Sequence, residues 1–126
     1  MKPNHKFLND LFIIDHIKRD ENKIMVQILL NPSHDIFKGH FPGNPILPGV
    51  CIVQILKELL MNHSGKKLIL KKASSIKYLS FINPEVNSTI NIDVEMREMG
   101  DNNFFCNASF YFESVVFCRF NGEFIF

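Results

Sequence analysis

The sequence predicts an α+β fold in which an antiparallel sheet curls around one central helix. The first observation is a segment, residues 47–61, that carries apolar side chains on nearly every side of the helical wheel. The second is a set of strand-like segments that precede and follow it. A helix of this kind must be surrounded by protein, and the strands can provide that cover. The length of 126 residues fits one domain, residues 1–126.

Two elements are expected before the helix. Residues 6–11 are predicted to form a short helical or turn segment. Residues 24–30, IMVQILL, have the β-branched and apolar content of a buried strand. The polar run 20–22 separates this strand from what precedes it.

The central helix has recognisable ends. Pro48 suits the first turn of a helix, where its missing N–H is not needed. Residues 62–65, NHSG, supply a C-terminal stop. The helix is therefore predicted over residues 47–61.

Strands are also expected after the helix. Residues 90–96 alternate between apolar and polar side chains, as a half-buried strand does. Residues 104–112 and 115–126 form two more, joined tightly at Glu113-Ser114. Asn121-Gly122 is a hairpin signal, but only four residues follow it, so a bulge or bend in the last strand is expected instead.

The phenylalanines indicate an oligomer. The chain has 13 of them, and alternation along the strands places most in the core. Alternation breaks at Phe104-Phe105 and at residues 110–112, so some aromatic side chains must face outward unless another subunit covers them. A homodimer or a higher oligomer is therefore predicted.

Residues 40–50, HFPGNPILPGV, form a preorganised loop that leads into the helix. Three prolines and two glycines fix its path and leave little conformational freedom to lose on binding. If the helix begins after Pro48, the backbone amides of Gly49 and Val50 are uncapped donors at the positive end of its dipole. A carbonyl oxygen could dock there.

This loop resembles the active-site segment of the FabZ/FabA-type 3-hydroxyacyl-acyl-carrier-protein dehydratases, which have the hotdog fold. Residues 10–17, DLFIIDHI, are similar to the N-terminal segment of the family, and Phe37-Lys38-Gly39 matches its Phe-x-Gly before the histidine. Residues 76–86, IKYLSFINPEV, look like the strand with an aromatic and a proline that follows the central helix. The resemblance spans most of the chain in the expected order.

The resemblance implies roles for the loop residues. His40 falls on the catalytic base, and Gly49 falls on the glycine whose amide helps to hold the thioester carbonyl. Phe41, Pro48 and Val50 are expected to bind substrate beside them. In the family the histidine of one subunit works with a helix carboxylate of the other, so each active site lies at a dimer interface.

Gln54 departs from the family pattern, because FabZ-type enzymes have Glu and FabA-type enzymes have Asp at that position. Glu58 lies one helical turn later on the same face, where the FabZ pattern has Gln. Three hypotheses remain open: Glu58 reaches the site directly or through water, His40 works alone while Gln54 orients the hydroxyl, or dehydratase activity has been lost.

The predicted function is the dehydration of 3-hydroxyacyl thioesters on acyl carrier protein to trans-2-enoyl thioesters, in a housekeeping or a specialised lipid pathway. A neutral imidazole suits the base, since its ordinary pKa lies near 6.5. No metal or other cofactor is needed. The rival is a catalytically impaired hotdog subunit that binds acyl carrier protein or pairs with an active homologue.

The composition limits which partners the protein is expected to bind and where in the cell it is expected to act. The net charge of +1 gives no general attraction to nucleic acid, and no run approaches the roughly 18 apolar residues of a membrane span. A cytoplasmic protein is expected, with Cys51, Cys106 and Cys118 as reduced core residues. The lysines near the end of the helix could attract an acidic carrier protein; they are Lys66, Lys67, Lys71, Lys72 and Lys77.

Overall fold

The computed structural model of the chain describes residues 10–38, 43, 45–100 and 102–126. These residues form a six-stranded antiparallel sheet and one long helix. Strands β1 and β2 span Phe12–Arg19 and Lys23–Leu30, and a 3₁₀ helix follows at Asp35–Phe37. Helix α1 spans Gly49–Ser64. Four strands complete the chain: β3 Ile69–Tyr78, β4 Thr89–Glu98, β5 Asn103–Phe112 and β6 Val115–Ile125.

The strand order β1-β2-β4-β5-β6-β3 requires the chain to cross the sheet between β2 and β3. Helix α1 is the long element of that crossing. Its buried residues and the buried side chains of the strands belong to one hydrophobic cluster. In β2, β4 and β5 these side chains share one face, since Val26 pairs with Ile92 and Ile92 pairs with Phe110. The sheet therefore covers one side of the helix, whereas Val50 on the predicted apolar circumference is 69% exposed.

The opposite face of the sheet is polar. Gln27 donates a hydrogen bond to Asn91, and the hydroxyl of Tyr111 donates to the carboxylate of Asp93 at 3.1 Å. The hydrogen bond to Asp93 accommodates Tyr111, one of the residues at which the aromatic alternation breaks. Arg97 lies over the ring of Phe105, the other such residue, at 5.9 Å from the ring centroid.

Helix α1 ends where the sequence predicts a stop. Gly65 follows it in the left-handed conformation, with φ of 73°, and its N–H donates to the carbonyl oxygen of Met61. A residue without a Cβ atom is favoured there. The observed helix is therefore one turn longer at this end than the apolar run alone indicates.

The observed strand β3 differs from the strand expected over residues 76–86, and that expectation is wrong in its bounds. The strand begins earlier, at Ile69, and ends at Tyr78, while residues 79–88 carry no regular secondary structure. Strand β3 lies at the edge of the sheet, and most of its side chains are exposed on both faces. An edge strand of this kind carries lysines and lacks the alternation that would reveal it.

At Asn121-Gly122 the bulge lies in the facing strand β3 and not in the last strand, where the sequence predicts it. Strand β6 continues through Asn121-Gly122 to Ile125 without a new hairpin. Ala73 pairs with Gly122 and Ser75 with Asn121, so the extra residue belongs to β3. The two-residue turn at Glu113-Ser114 is as predicted, with Phe112 paired to Val115. The expected segment over residues 6–11 lies mostly outside the described residues, and Asp10 and Leu11 form a turn.

Candidate active site at the start of the helix

The first turn of α1 presents backbone donors. Pro48 precedes the helix in an extended conformation, with φ of −61° and ψ of 145°, and makes no side-chain hydrogen bond to the helix. The amides of Cys51 and Ile52 donate to its carbonyl oxygen at 3.0 and 3.3 Å. Gly49 and Val50 precede these residues, and helix geometry leaves their amides without a carbonyl one turn earlier. They are donors at the positive end of the helix dipole.

A groove of about 580 Å³ opens at this helix start. Its lining is mainly apolar and comes from two segments that are distant in sequence. These residues are Ile46, Leu47, Pro48, Gly49, Ile52, Tyr78, Leu79, Ser80, Phe81 and Ile82. Phe81 is 77% exposed and Val50, next to the groove, is 69% exposed. An apolar ligand could therefore lie beside the amide donors.

Backbone hydrogen bonds fix both walls of the groove. The N–H of Leu79 donates to the carbonyl oxygen of Phe117 at 2.8 Å, which ties one wall to β6. The N–H of Leu47 donates to the carbonyl oxygen of Ile82 at 2.9 Å, which ties the segment before the helix to that wall. The irregular segment after β3 is thus held in place although it has no regular structure.

Tyr78 contacts the first residue of the helix in two ways. Its hydroxyl donates a hydrogen bond to the carbonyl oxygen of Gly49 at 3.1 Å. A Cβ atom added to Gly49 would lie 2.7 Å from Cζ of the ring. Glycine is therefore needed here because the Tyr78 ring occupies the space that a side chain would fill.

Glu58 is the one buried charged residue of the described part of the chain, and it is 4% exposed. Its carboxyl group lies 3.5 Å from Nε2 of Gln54, one helical turn earlier. Burial raises the pKa of Glu58 from 4.5 to about 7, although the Gln54 amide and the positive charge of Lys57 partly oppose this. An acid of that strength can release a proton near neutral pH.

The structure brings together some of the predicted site residues. Pro48 and Gly49 line the groove, whereas Gln54 and Glu58 contact each other and are not among its lining residues. His40 and Phe41 lie outside the described residues, so their roles remain predictions.

Sequence reasoning missed the groove residues at the end of β3 and directly after it. The segment of residues 76–86, which resembles the family, contains Tyr78, Leu79 and Phe81. The resemblance assigned no role to these three residues. The only available signal was an unusual pair of aromatic residues outside a regular alternation.

The cysteines and the metal-binding residue types form no second site in the described part of the chain. Cys51, Cys106 and Cys118 are buried and unpaired. Burial raises the pKa of all three thiols, to about 12 for Cys106 and about 11 for Cys118. Within the described ranges, no three His, Cys, Asp or Glu side chains come together as a metal site. No helix in that part of the chain is long and apolar enough to span a membrane.

A six-stranded antiparallel sheet with a single long helix across one face defines a hotdog-fold protein. Solved structures of that fold superpose on the chain. The dehydratase heterocomplex ApeI:P from Xenorhabdus doucetiae matches with a TM-score of 0.68 and 19% identity, covering 100% of both chains. The PaaI protein of E. coli matches with a TM-score of 0.67 and 14% identity, covering 94% of this chain and 86% of its own. The predicted α+β hotdog fold is confirmed.

Residues 16–114 match the family model of the ApeI-like proteins, described as ApeI dehydratase, and the chain belongs to this family. It is also similar to 3-hydroxyacyl-[acyl-carrier-protein] dehydratases named FabZ. The FabZ of Lactococcus lactis is 40% identical over 63 residues, which cover 49% of this chain and 38% of that protein. The FabZ of Oenococcus oeni is 30% identical over 87 residues, which cover 64% and 61%. The matches thus span less than two thirds of either relative, and they confirm the predicted family resemblance.

Proposed function

We propose that this protein is a dehydratase that removes water from 3-hydroxyacyl thioesters on acyl carrier protein and yields trans-2-enoyl thioesters. The observation that carries the proposal is the match of residues 16–114 to the ApeI dehydratase family. The matched region contains the helix start, the groove and the Gln54–Glu58 pair. The FabZ relatives, by their names, indicate the substrate class.

The amides at the start of α1 have the task of stabilising negative charge. When the proton on the carbon next to the thioester carbonyl is removed, charge develops on the carbonyl oxygen. The amides of Gly49 and Val50 would donate to that oxygen. Loss of one comparable donor in another enzyme slows catalysis by about 100- to 1000-fold. The apolar groove beside them suits the acyl chain or the apolar part of its linker.

His40 and Glu58 divide the proton transfers. His40 takes the proton from the carbon next to the carbonyl, and the C–H electron pair forms the new double bond. The bond between carbon and the 3-hydroxyl group breaks, and Glu58 protonates the departing hydroxide to give water. Proton return from His40 to Glu58, through water, restores both groups. The raised pKa of Glu58 supports this assignment, since an ordinary glutamate would hold almost no proton near neutral pH.

We propose a homodimer as the active assembly. Strand β3 lies at an open edge of the sheet, and its first residue, Ile69, is 62% exposed. Exposed apolar side chains at Val50 and Phe81 surround the groove and would gain cover from a second copy. The family resemblance implies that His40 of one subunit would lie near the helix of the other. A heterocomplex is the alternative assembly, because a superposed ApeI structure is named as one.

The lysines after α1 are the proposed docking surface for acyl carrier protein. Lys67, Lys72 and Lys77 are exposed. Lys71 lies 3.6 Å from the carboxylate of Glu123, and Lys66 lies 4.0 Å from the centroid of the Phe126 ring. A concentration of positive charge would speed association with an acidic carrier, and added salt should weaken that effect.

The test is an assay of the purified protein with a 3-hydroxyacyl-carrier substrate. Wild type should form the enoyl product and water, and His40→Ala should remove turnover. Glu58→Gln should lower kcat by about 100-fold or more if Glu58 is the acid. Full activity of Glu58→Gln would favour the hypothesis that His40 works with Gln54 alone. Wild-type turnover no higher than that of His40→Ala would disprove the dehydratase and favour the impaired subunit.

A further inference from the structure

Tyr78 is held by the sheet while it contacts the helix. It is the last residue of β3 and pairs with Cys118 of β6. The next residue, Leu79, donates its N–H to the carbonyl oxygen of Phe117. Tyr78 therefore connects the edge of the sheet to the first turn of α1, across a separation of 29 residues from Gly49.

The hydrogen bond from Tyr78 acts on one of the proposed oxygen-binding amides. The carbonyl of Gly49 and the N–H of Val50 belong to the same peptide group. Donation to the carbonyl oxygen polarises that group and strengthens the N–H as a donor. A tyrosine hydroxyl is protonated near neutral pH and can donate, and burial raises the pKa of Tyr78 further in that direction.

The ring of Tyr78 acts on the other amide through packing. It rests against the Cα atom of Gly49, since an added Cβ would lie 2.7 Å from Cζ. Pro48 supplies no side-chain cap to this helix start. The Tyr78 side chain thus packs against a helix start that no capping side chain holds.

We propose that Tyr78 is a positioning residue that orients and polarises the amide donors of Gly49 and Val50. It does not take part in proton transfer. Its effect on catalysis rests on the proposed dehydratase function, because those amides matter only where negative charge develops on a bound carbonyl oxygen. Its effect on the amides themselves does not depend on that function.

The test compares Tyr78→Phe, which keeps the ring and removes the hydroxyl, with Tyr111→Phe as a matched control. The hydroxyl of Tyr111 donates to Asp93 on the polar face of the sheet. In Tyr78→Phe, kcat should fall about tenfold with little change in KM, less than the ~100- to 1000-fold effect of losing a donor outright. In NMR spectra without substrate, the amide proton of Val50 should shift upfield. Tyr111→Phe should change neither quantity.

The two measurements separate failure of this proposal from failure of the proposed function. If wild type turns over substrate but Tyr78→Phe has the same kcat, Tyr78 is not a positioning residue. An unchanged Val50 amide proton in Tyr78→Phe would overturn the proposal in the same way. If wild type shows no turnover, the dehydratase assignment fails, and the shift of the Val50 amide still decides whether Tyr78 acts on the helix start.

Discussion

The side-chain amide of Gln54 lies 3.5 Å from Oε2 of Glu58, one turn further along α1, and the Glu58 carboxyl group is almost completely buried. A buried carboxylate is unfavourable, so the pKa of Glu58 rises to about 7. The amide offers the carboxylate a weak, long hydrogen bond in partial compensation. The pair therefore combines a neutral partner with an acid that exchanges its proton near neutral pH.

The first prediction concerns the pH dependence of stability. The folded-state pKa of Glu58 exceeds its ordinary value of 4.5, so the folded chain binds more protons than the unfolded chain between about pH 4.5 and 7. The free energy of unfolding should fall as pH rises through that window, by at most about 3 kcal/mol. Urea unfolding measured from pH 4 to 8 would show this slope.

The variant Glu58→Gln should flatten that slope, because a carboxamide binds no proton. Glu98→Gln is the matched control, since Glu98 is exposed. It should keep the pH dependence of wild type. An equal slope in wild type and Glu58→Gln would show that Glu58 is not the group responsible.

The second prediction concerns the pH dependence of turnover. If Glu58 protonates the departing hydroxide, kcat should decrease as pH rises above about 7, because the carboxyl group loses its proton. Gln54→Glu should move this decrease to higher pH, since two close carboxylates share a proton and raise the pKa of one of them. Measurement of kcat from pH 6 to 9 for both proteins tests the shift. An unmoved profile in Gln54→Glu would separate Gln54 from the ionisation that controls turnover.

The third prediction separates two reasons for glycine at the two ends of α1. Gly49→Ala should destabilise the chain by about 1–3 kcal/mol, because the added Cβ overlaps the Tyr78 ring. Removal of the ring in the double variant Gly49→Ala/Tyr78→Ala should recover most of that loss relative to Tyr78→Ala. Urea unfolding of the four proteins in this cycle gives the coupling energy.

Gly65 provides the contrast for this experiment. It has a φ of +73° and nothing within 4 Å of an added Cβ atom. Gly65→Ala should destabilise through backbone strain, and Tyr78→Ala should not relieve it. Additive effects at Gly49 and Tyr78 would contradict the packing explanation.

The fourth prediction concerns assembly. Light scattering should give about twice the 14.6 kDa mass of one chain if the homodimer forms. Ile69→Lys should shift the equilibrium toward single chains, since Ile69 is exposed on the open β3 edge. Met99→Lys, an exposed position between β4 and β5, is the matched control and should not. A single-chain mass for wild type at all concentrations would favour a different partner or no partner.

Patterns of burial explain which elements the sequence could predict. The strand predicted over residues 24–30 is observed as β2, and the alternation over residues 90–96 is observed as β4. In both strands, buried side chains alternate with more exposed ones. Strand β2 is also strongly apolar in composition. Strand β3 has no such pattern, because it lies at the edge with both faces accessible to solvent. Its pairing with β6 depends on backbone hydrogen bonds, which leave little trace in side-chain identity.

The candidate site divides in the same way. Pro48 restricts the backbone locally, so the sequence alone indicated that Gly49 and Val50 offer the first free amides. The predicted range began two residues early, at residue 47, because Leu47 and Pro48 precede the helix. The proximity of Gln54 and Glu58 also follows from helical spacing. Local chain geometry is enough for these conclusions.

Only the tertiary structure decided the environment of those residues. Whether Glu58 meets solvent or the core depends on how the sheet covers α1, and that burial is what changes its pKa. The contact between Tyr78 and Gly49 likewise depends on the pairing of β3 with β6, which no local pattern encodes. The sequence by itself indicated the first free amides of the helix, Gly49 and Val50, because proline and helix geometry act locally. Packing and desolvation determined the burial and the pKa of Glu58 and the contact between Tyr78 and Gly49, because these forces act only once distant segments meet.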